Sequence, residues 1–245
     1  MTTDYDGIAE QYQRAKLQPW REFIEAFTLM ELVGDPAETS VLDVACGEGF
    51  YTRMLRARGA RRVTGVDISE GMIDLARGQE ARDRLGIEYL VGDARNLSLA
   101  DECDLVFAAY LLNYARDRSE LRAMCAGIAR CLRPGGRFVT VNCSPFLNFP
   151  AAPSFRKYGF ETAPAGEWRE GTPITWTFHL DDGPFSIENY HLDGAIHEEA
   201  LRSAGFREID WRPPRLAPEA ANHAPAEFWS SFLENSPVAF AVCVK

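Results

Sequence analysis

Two glycines and an aspartate are spaced as in loops that bind a nucleoside cofactor. The apolar run 41–45 leads into Gly47 and Gly49, and a second strand-like run, 62–67, ends in Asp67. Because glycine has no Cβ and can adopt φ > 0, the two glycines permit a tight turn whose backbone amides face outward beside a helix N-terminus. Asp67 follows Gly47 by about 20 residues, the distance at which a carboxylate meets ribose hydroxyls. The pattern predicts a nucleoside-binding loop between a strand and a helix.

This fingerprint is shared by two cofactor classes, the nicotinamide dinucleotides and S-adenosylmethionine. The dinucleotide pattern calls for glycine or alanine three residues after Gly49, where this chain has Thr52. The Tyr-x-x-x-Lys pattern of short-chain dehydrogenases occurs here once, from Tyr12 to Lys16, and it precedes the glycine loop. Both observations disfavour an NAD-dependent oxidoreductase, which stays open as the alternative.

Two later strand ends add further candidates for the same site. The run 87–91 reads as a third strand followed by Gly92, Asp93 and Ala94, and the run 103–108 reads as a fourth followed by Ala109. Ligands of open α/β sheets bind beyond the carboxyl ends of the strands, near the topological switch point. All four strand ends are therefore expected to meet at one cofactor site.

The residues 43–49, Asp67 and 92–94 together resemble the class I S-adenosylmethionine-dependent methyltransferases. Ala45 departs from the pattern, because many members have glycine there. The resemblance covers about residues 4–143 in motif detail. It implies an α/β fold: a Rossmann-like, seven-stranded, doubly wound sheet with its last strand antiparallel, N-terminal lid helices and a β-hairpin cap.

The resemblance also implies S-adenosyl-L-methionine as cofactor, S-adenosyl-L-homocysteine as product, and a role for each matched residue. Asp43 would bind the α-ammonium group, Asp67 the ribose hydroxyls and Asp93 the adenine amino group, while Ile68 and Met72 would pack on the adenine faces. The N-terminal pattern Tyr-Asp-x-x-Ala-x-x-x-Tyr resembles a lid helix whose tyrosines cover the cofactor. The expected cofactor-binding residues are Tyr5, Tyr12, Asp43, Ala45, Gly47, Gly49, Asp67, Ile68, Met72, Asp93, Ala94 and Ala109.

The order of elements suits one methyltransferase domain over residues 1–245. We expect lid helices in 1–36, a cofactor-binding core in 37–143, a substrate cap in 144–194 and completion of the sheet in 195–245. The expected strands are 40–45, 62–67, 87–91, 103–108, 137–143, 206–212 and 237–244. A helix over 117–132 is expected to end at the Pro-Gly-Gly of 134–136.

The predicted cap is rich in aromatic residues and is expected to hold the substrate. The runs 174–180 and 185–192 alternate as strands do, and Asp-Asp-Gly-Pro between them is a turn signal, so a hairpin is predicted. Aromatic side chains there would stack on a flat acceptor. The alternative is that a small cap needs them for its own core. The expected substrate-binding residues are Asn113, Tyr114, Asn142, Trp176, Phe178 and Tyr190.

The implied reaction needs little from the protein beyond alignment, because the sulfonium is already an activated electrophile. A general base is needed for a phenol or hydroxyl acceptor and not for a ring nitrogen with a lone pair. Tyr114, His179 and His191 are the candidates, and none is assigned as the catalytic residue. The segment 228–237 with the cap resembles toxoflavin-type N-methyltransferases and quinone-pathway methyltransferases. We therefore expect a small aromatic or heteroaromatic acceptor, with N-methylation favoured over O-methylation. A protein that binds the cofactor without transferring methyl stays open as a second alternative.

Composition narrows the possible partners. The chain has 26 basic and 36 acidic residues, a net charge of −10, which would repel a nucleic-acid phosphate backbone. Six cysteines and four histidines show no metal-ligand spacing, so no metal is expected. There is no secretory signal and no run of about 18 apolar residues, so a cytoplasmic protein without a membrane partner is expected. The oligomeric state is left open.

Overall fold

The computed structural model describes residues 9–97 and 103–245. The strands in these ranges are β1 (Ser40–Val44), β2 (Arg62–Asp67), β3 (Glu88–Val91), β4 (Cys103–Ala109), β5 (Leu132–Cys143), β6 (Phe160–Pro164), β7 (Pro173–Leu180), β8 (Gly183–Tyr190), β9 (Glu208–Arg212) and β10 (Val238–Val244). The α-helices are α1 (Ala9–Ala15), α2 (Phe27–Val33), α3 (Phe50–Ala57), α4 (Glu70–Asp83), α5 (Arg118–Cys131), α6 (Gly194–Ser203) and α7 (Ala226–Glu234). A π-helical segment, Arg21–Ala26, runs directly into α2.

Seven of the strands form one sheet in the order β3-β2-β1-β4-β5-β10-β9. Neighbouring strands are parallel except for β10, which is antiparallel to both β5 and β9. This confirms the doubly wound sheet with an antiparallel last strand. The chain leaves β1 toward β2 on one side and returns through β4 on the other, so the switch point lies between β1 and β4.

Hydrophobic cores cover both faces of this sheet. All five residues of β1 are buried, as expected for a central parallel strand covered on both sides. Because successive side chains point to opposite faces, Val41 packs in one core and Leu42 in the other. Helices α2, α3 and α4 contribute to the first core, and α5 and α6 contribute to the second.

Helix α5 matches the predicted helix, but the turn that was expected after it is part of a strand. Strand β5 begins at Leu132, not at the expected residue 137. The Gly135 N–H donates to the Lys245 carbonyl, and the Lys245 N–H donates to the Gly136 carbonyl, both at 3.0 Å. These bonds to the chain end anchor the Pro-Gly-Gly segment, which bulges between the Cys103–Leu132 and Leu105–Arg137 pairs and has Gly135 at φ = +76°.

The cap is a three-stranded antiparallel sheet in the order β6-β7-β8, so the prediction of a two-stranded hairpin was incomplete. Strand β6 pairs with β7 from Phe160 opposite Phe178 to Pro164 opposite Ile174. An isolated two-stranded hairpin is marginally stable in water, and a third strand with an apolar face provides the missing support.

That apolar face packs against the N-terminal and C-terminal helices. The ring of Phe160 lies 5.2 Å from Trp176 and 5.1 Å from Trp20, and Trp20 in turn lies 5.4 Å from Phe232 of α7. The cap is thereby fixed to the segment that leads into α2. No helix in the described part of the chain is long and apolar enough to cross a bilayer.

Candidate cofactor and active site

A cavity of about 540 Å³ lies at the carboxyl ends of β1 to β4, at the switch point of the sheet. Its volume is within the range of small-molecule sites, about 300–1,000 Å³. Most of the expected cofactor residues lie on its wall. These are Asp43, Ala45, Gly47, Asp67, Ile68, Met72, Asp93, Ala94 and Ala109.

The loop after β1 turns tightly along one side of this cavity. Ala45, Gly47 and Gly49 have φ values of +60°, +56° and +85°. Ala45 stands where many family members have glycine, and it adopts the left-handed conformation that glycine would take without strain. Gly49 lies behind the wall, and a Cβ there would overlap the hydroxyl of Tyr89. The sequence departure at Ala45 therefore changes the residue but not the turn.

Asp67 connects the loops that follow β1 and β2. Its Oδ2 accepts a hydrogen bond from the Gly47 N–H at 2.8 Å, and its Oδ1 accepts one from the Ser69 N–H at 2.9 Å. Burial raises the pKa of Asp67, and these two backbone bonds oppose the rise. A carboxylate has about four lone-pair positions, so acceptor capacity for a ribose hydroxyl remains.

Asp43 lies beneath the glycine loop and is almost fully buried, with 1% of its surface exposed. Its Oδ2 accepts a hydrogen bond from the Thr52 hydroxyl at 2.6 Å. Burial raises the pKa of Asp43 to about 7, although the Thr52 bond and the nearby Lys16 ammonium oppose the rise. Thr52, the residue that breaks the dinucleotide pattern, thus orients the carboxylate expected to bind the α-ammonium group.

The expected adenine end combines apolar surface with a third carboxylate. Ile68 is 64% exposed and Met72 is buried, and both line the cavity. Asp93 is an ion-pair partner of Arg95, with 2.6 Å between Oδ2 and Nη2, and its Oδ1 also accepts from the Arg95 N–H at 2.9 Å. An adenine amino group would therefore share Asp93 with a guanidinium that sequence reasoning did not place there.

Two expected lid residues are not described by the structure in atomic detail. Tyr5 lies outside the described residues. Tyr12 lies in α1, and its side chain is outside what the structure describes. Their roles in covering the cofactor remain predictions.

The cap aromatics expected to bind substrate are not among the residues that line the cavity. Trp176 and Phe178 are 2% and 1% exposed and stack within the cap's own core, the alternative that the sequence left open. Tyr190 pairs with Pro173, whereas Trp176 pairs with Ile187, so strand parity puts Tyr190 on the opposite face from Trp176. The Tyr190 hydroxyl donates to Glu188 instead.

The two candidate histidines also lie away from the cavity wall. His179 contacts the Glu161 carboxylate, with 2.8 Å between Nε2 and Oε2, on the outer face of the cap. His191 stacks on Trp168 with ring centres 4.0 Å apart, and burial lowers its pKa. Neither is placed to act as a general base at the cavity.

Of the other three substrate candidates, only Tyr114 lies on the wall. Asn142 is fully buried, and its amide group is hydrogen-bonded on both sides. Its Oδ1 accepts from the Leu112 N–H at 2.8 Å, and its Nδ2 donates to the Thr140 hydroxyl. It therefore braces the turn behind the wall. Asn113 lies in the same turn, and within the described residues its buried amide nitrogen and oxygen have no hydrogen-bond partner. Its substrate role remains a prediction.

A buried polar cluster on the wall was missed by sequence reasoning. The Glu25 carboxylate accepts hydrogen bonds from Arg21 Nη1, at 3.1 and 2.9 Å to its two oxygens, and from the Tyr51 hydroxyl at 2.6 Å. It also accepts one from the Tyr110 hydroxyl. Arg21, Glu25, Tyr51 and Tyr110, here called the Glu25 cluster, all line the cavity. The one sequence feature that indicates part of this cluster is the i, i+4 spacing of Arg21 and Glu25, which places the two side chains on one helix face. The tyrosines come from α3 and from the end of β4, so nothing local linked them to it.

Comparison with known proteins agrees with this fold. The family described as "Methyltransferase domain" matches residues 41–136. The chain is similar to N-demethylindolmycin N-methyltransferase of Streptomyces griseus, with 30% identity over 69% of this chain and 70% of that one. It is also similar to demethylmenaquinone methyltransferase of Symbiobacterium thermophilum, with 29% identity over 85% and 82%. The fold resembles that of the CcbJ methyltransferase from Streptomyces caelestis, with a TM-score of 0.69 and 19% identity over 99% and 97% of the two chains.

The chain belongs to the class I S-adenosylmethionine-dependent methyltransferases, and S-adenosylmethionine is its cofactor. The wall has the chemistry this cofactor needs. Asp43 and Asp67 offer carboxylates to an ammonium group and to ribose hydroxyls, and Ile68 and Met72 offer apolar surface to a purine. The NAD-dependent alternative is set aside.

Proposed function

We propose that the protein transfers the methyl group of S-adenosylmethionine to a nitrogen or oxygen of a small aromatic or heteroaromatic metabolite, with nitrogen favoured. The observation that carries this proposal is the continuity of the cavity. Beyond Ala109, which is expected to face the cofactor, the cavity wall continues through Tyr110, Leu111 and Tyr114. An acceptor held there would lie next to the expected cofactor site in a cavity of small-molecule size.

The similar proteins support the same acceptor class. One is named for N-methylation of demethylindolmycin and another for methylation of demethylmenaquinone. The net charge of −10 further disfavours a nucleic-acid acceptor. Nitrogen is favoured over oxygen by the first of these relatives and by the sequence resemblance to N-methyltransferases.

In this proposal the protein binds the cofactor and the methyl acceptor, orients them toward each other and excludes water. The cofactor supplies an electrophilic methyl group, and Asp43, Asp67 and Asp93 would hold its polar groups. Tyr110, Leu111 and Tyr114 would align the acceptor nitrogen or oxygen with that methyl group. Alignment of this kind accounts for much of the rate in two-substrate reactions, since effective molarities for well-oriented reactants reach about 10⁵–10⁸ M.

The test is turnover with a panel of acceptors. Purified protein is incubated with S-adenosylmethionine carrying a deuterated methyl group and with indole amines, phenols or quinols, and both products are followed by mass spectrometry. We expect S-adenosylhomocysteine and a deuteromethylated acceptor in equal amounts, and fragmentation identifies the methylated atom. Binding of S-adenosylhomocysteine without turnover on any acceptor would instead favour a non-catalytic cofactor-binding protein.

A further inference from the structure

The Glu25 cluster has a directional pattern of hydrogen bonds. The two Glu25 oxygens accept four contacts, two from Arg21 Nη1, one from the Tyr51 hydroxyl and one from the Tyr110 hydroxyl. An ionised carboxylate has about four lone-pair positions, so these contacts occupy its capacity. The phenolic oxygens on this wall therefore keep acceptor capacity that the carboxylate oxygens have used.

Each of the two tyrosines directs its proton toward Glu25. A hydroxyl that donates its one proton keeps lone pairs with which it accepts hydrogen bonds. A nearby carboxylate polarises the phenol and so strengthens its oxygen as an acceptor. Burial and Glu25 raise the pKa of Tyr51 well above its usual range, so that phenol stays protonated at neutral pH. The two tyrosines of the cluster thus present hydrogen-bond acceptors to the cavity, beside the donor groups of Arg21.

Tyr110 is the member placed nearest the expected reaction. It follows Ala109 at the end of β4 and adopts φ = +64°, which is uncommon for a residue with a side chain. Its N–H donates to the Val141 carbonyl at 2.8 Å, and its hydroxyl donates to Glu25, so both ends of the residue are fixed. Backbone strain that is held in this way is found mainly at functional sites.

We propose that the Tyr110 hydroxyl recognises the N–H or O–H of the methyl acceptor and that Tyr110 and Glu25 together accept its proton. This inference rests on the proposed function and narrows its substrate class. The acceptor nitrogen or oxygen forms a bond to the methyl carbon while the carbon–sulfur bond breaks and its electron pair stays on sulfur. The acceptor proton passes to the Tyr110 oxygen as the Tyr110 proton passes to Glu25 Oε2. The net positive charge lost from sulfur is balanced by neutralisation of Glu25.

Arg21 and Glu25 form a buried ion pair at this end of the cavity. Arg21 is held in place by its contacts to the carboxylate and by the Trp20 ring, 4.6 Å from the guanidinium carbon. Recognition of the methyl acceptor by Tyr110 therefore depends on whether the acceptor can donate a hydrogen bond. An amine, a ring N–H or a hydroxyl can donate to the Tyr110 oxygen, whereas a carboxylate brings no proton for the proposed transfer.

A binding experiment tests the recognition step without knowledge of the acceptor. Protein saturated with S-adenosylhomocysteine is titrated with 4-fluorophenol or 4-fluoroanisole, and ¹⁹F line widths give the two dissociation constants. One net hydrogen bond is about 0.5–1.5 kcal/mol, so we expect the phenol to bind about 2- to 10-fold more tightly. The preference should disappear in Tyr110→Phe. A preference that persists in this variant would overturn the inference.

Turnover tests the proton transfer. With any acceptor used by the wild type, we expect Tyr110→Phe and Glu25→Gln to lower kcat by about 100-fold or more, the range of general-base catalysis, without changing the KM for the cofactor. Tyr158→Phe is the matched control, because that hydroxyl bonds to Phe228 and Ser231 of α7 and does not line the cavity. It should lose stability and retain turnover per folded molecule.

The two experiments separate this inference from the proposed function. Turnover that is unchanged in Tyr110→Phe overturns the inference and leaves the methyltransferase function standing. Loss of the phenol preference in Tyr110→Phe, in a protein that turns over no acceptor, supports recognition by Tyr110 and argues against the function. Thermal melting and S-adenosylhomocysteine affinity establish that each variant is folded.

Discussion

The carboxylate beneath the glycine loop should weaken the fold of the cofactor-free protein. Asp43 is buried and has Thr52 as its direct hydrogen-bond partner, and its pKa rises from an ordinary 3.8 to about 7. Replacing it with asparagine keeps the shape and an oxygen for Thr52 but removes the charge. We expect Asp43→Asn to stabilise the cofactor-free protein at pH 8 and to lose affinity for S-adenosylhomocysteine.

The magnitude follows from the pKa. Because the folded pKa of Asp43 lies above its unfolded value, the ionisation penalty is absent below about pH 3.8. It grows as pH rises to about 7 and is complete above that pH. A rise in pKa from 3.8 to about 7 corresponds to about 4 kcal/mol at most, since a change of one in pKa is about 1.36 kcal/mol. Because the variant structure relaxes, we expect its free energy of unfolding to exceed that of the wild type by about 2 kcal/mol at pH 8. This difference should shrink steadily toward pH 4.

Urea denaturation of both proteins between pH 4.5 and 8 measures this gain. The matched control is Asp74→Asn on α4, an aspartate whose side chain is 69% exposed; it should change stability by less than about 0.5 kcal/mol.

Calorimetry should show that wild-type affinity for S-adenosylhomocysteine rises from pH 6 to 8, because ionised Asp43 is the form that pairs with an ammonium group. A gain in Asp43→Asn that does not depend on pH, or no gain at pH 8, would refute the reasoning.

Three further substitutions test other parts of the site and the cap. Asp67→Ala removes a charge-assisted acceptor of about 1.5–3 kcal/mol, so the calorimetric Kd for S-adenosylhomocysteine should rise at least 10-fold; near-normal affinity would exclude the ribose role. Gly49→Ala should cost about 1–3 kcal/mol in thermal unfolding, because the positive φ is strained and the Cβ overlaps the Tyr89 hydroxyl, and Tyr89→Phe in the same chain should restore part of it. Trp176→Ala should cost about 3–5 kcal/mol and leave the acceptor KM unchanged; a raised KM at unchanged stability would restore Trp176 as a pocket residue.

Sequence reasoning succeeds in this chain where the chemistry is local. Gly47, Asp67 and Asp93 each follow a strand, and the order of strands brings their positions together, so the cofactor site could be predicted without coordinates. The third cap strand was missed because Phe160–Pro164 is short, ends in proline and alternates too briefly to separate from a loop.

The acceptor end could not be found in the same way. Glu25, Tyr51 and Tyr110 come from three segments that only the fold joins, and each has an ordinary local explanation as a helix or strand-end residue. Aromatic density in the cap was a misleading guide, because a small sheet must bury large side chains to be stable at all. Trp176 and Phe178 meet that need, and the cavity wall is built from other elements.

Two of the four non-glycine residues with positive φ in the described part of the chain line the same cavity as the buried Asp43, and this placement is an argument for function. Ala45 and Tyr110 have positive φ at the ends of adjacent strands, and burial raises the pKa of Asp43 between them. Backbone strain at Ala45 and Tyr110 lowers stability by about 1–3 kcal/mol at each residue. This strain persists because the aromatic core around Trp20 and Phe160 stabilises the surrounding elements. In the proposed mechanism the cap would contribute through the rigidity it gives the N-terminal segment that holds Glu25.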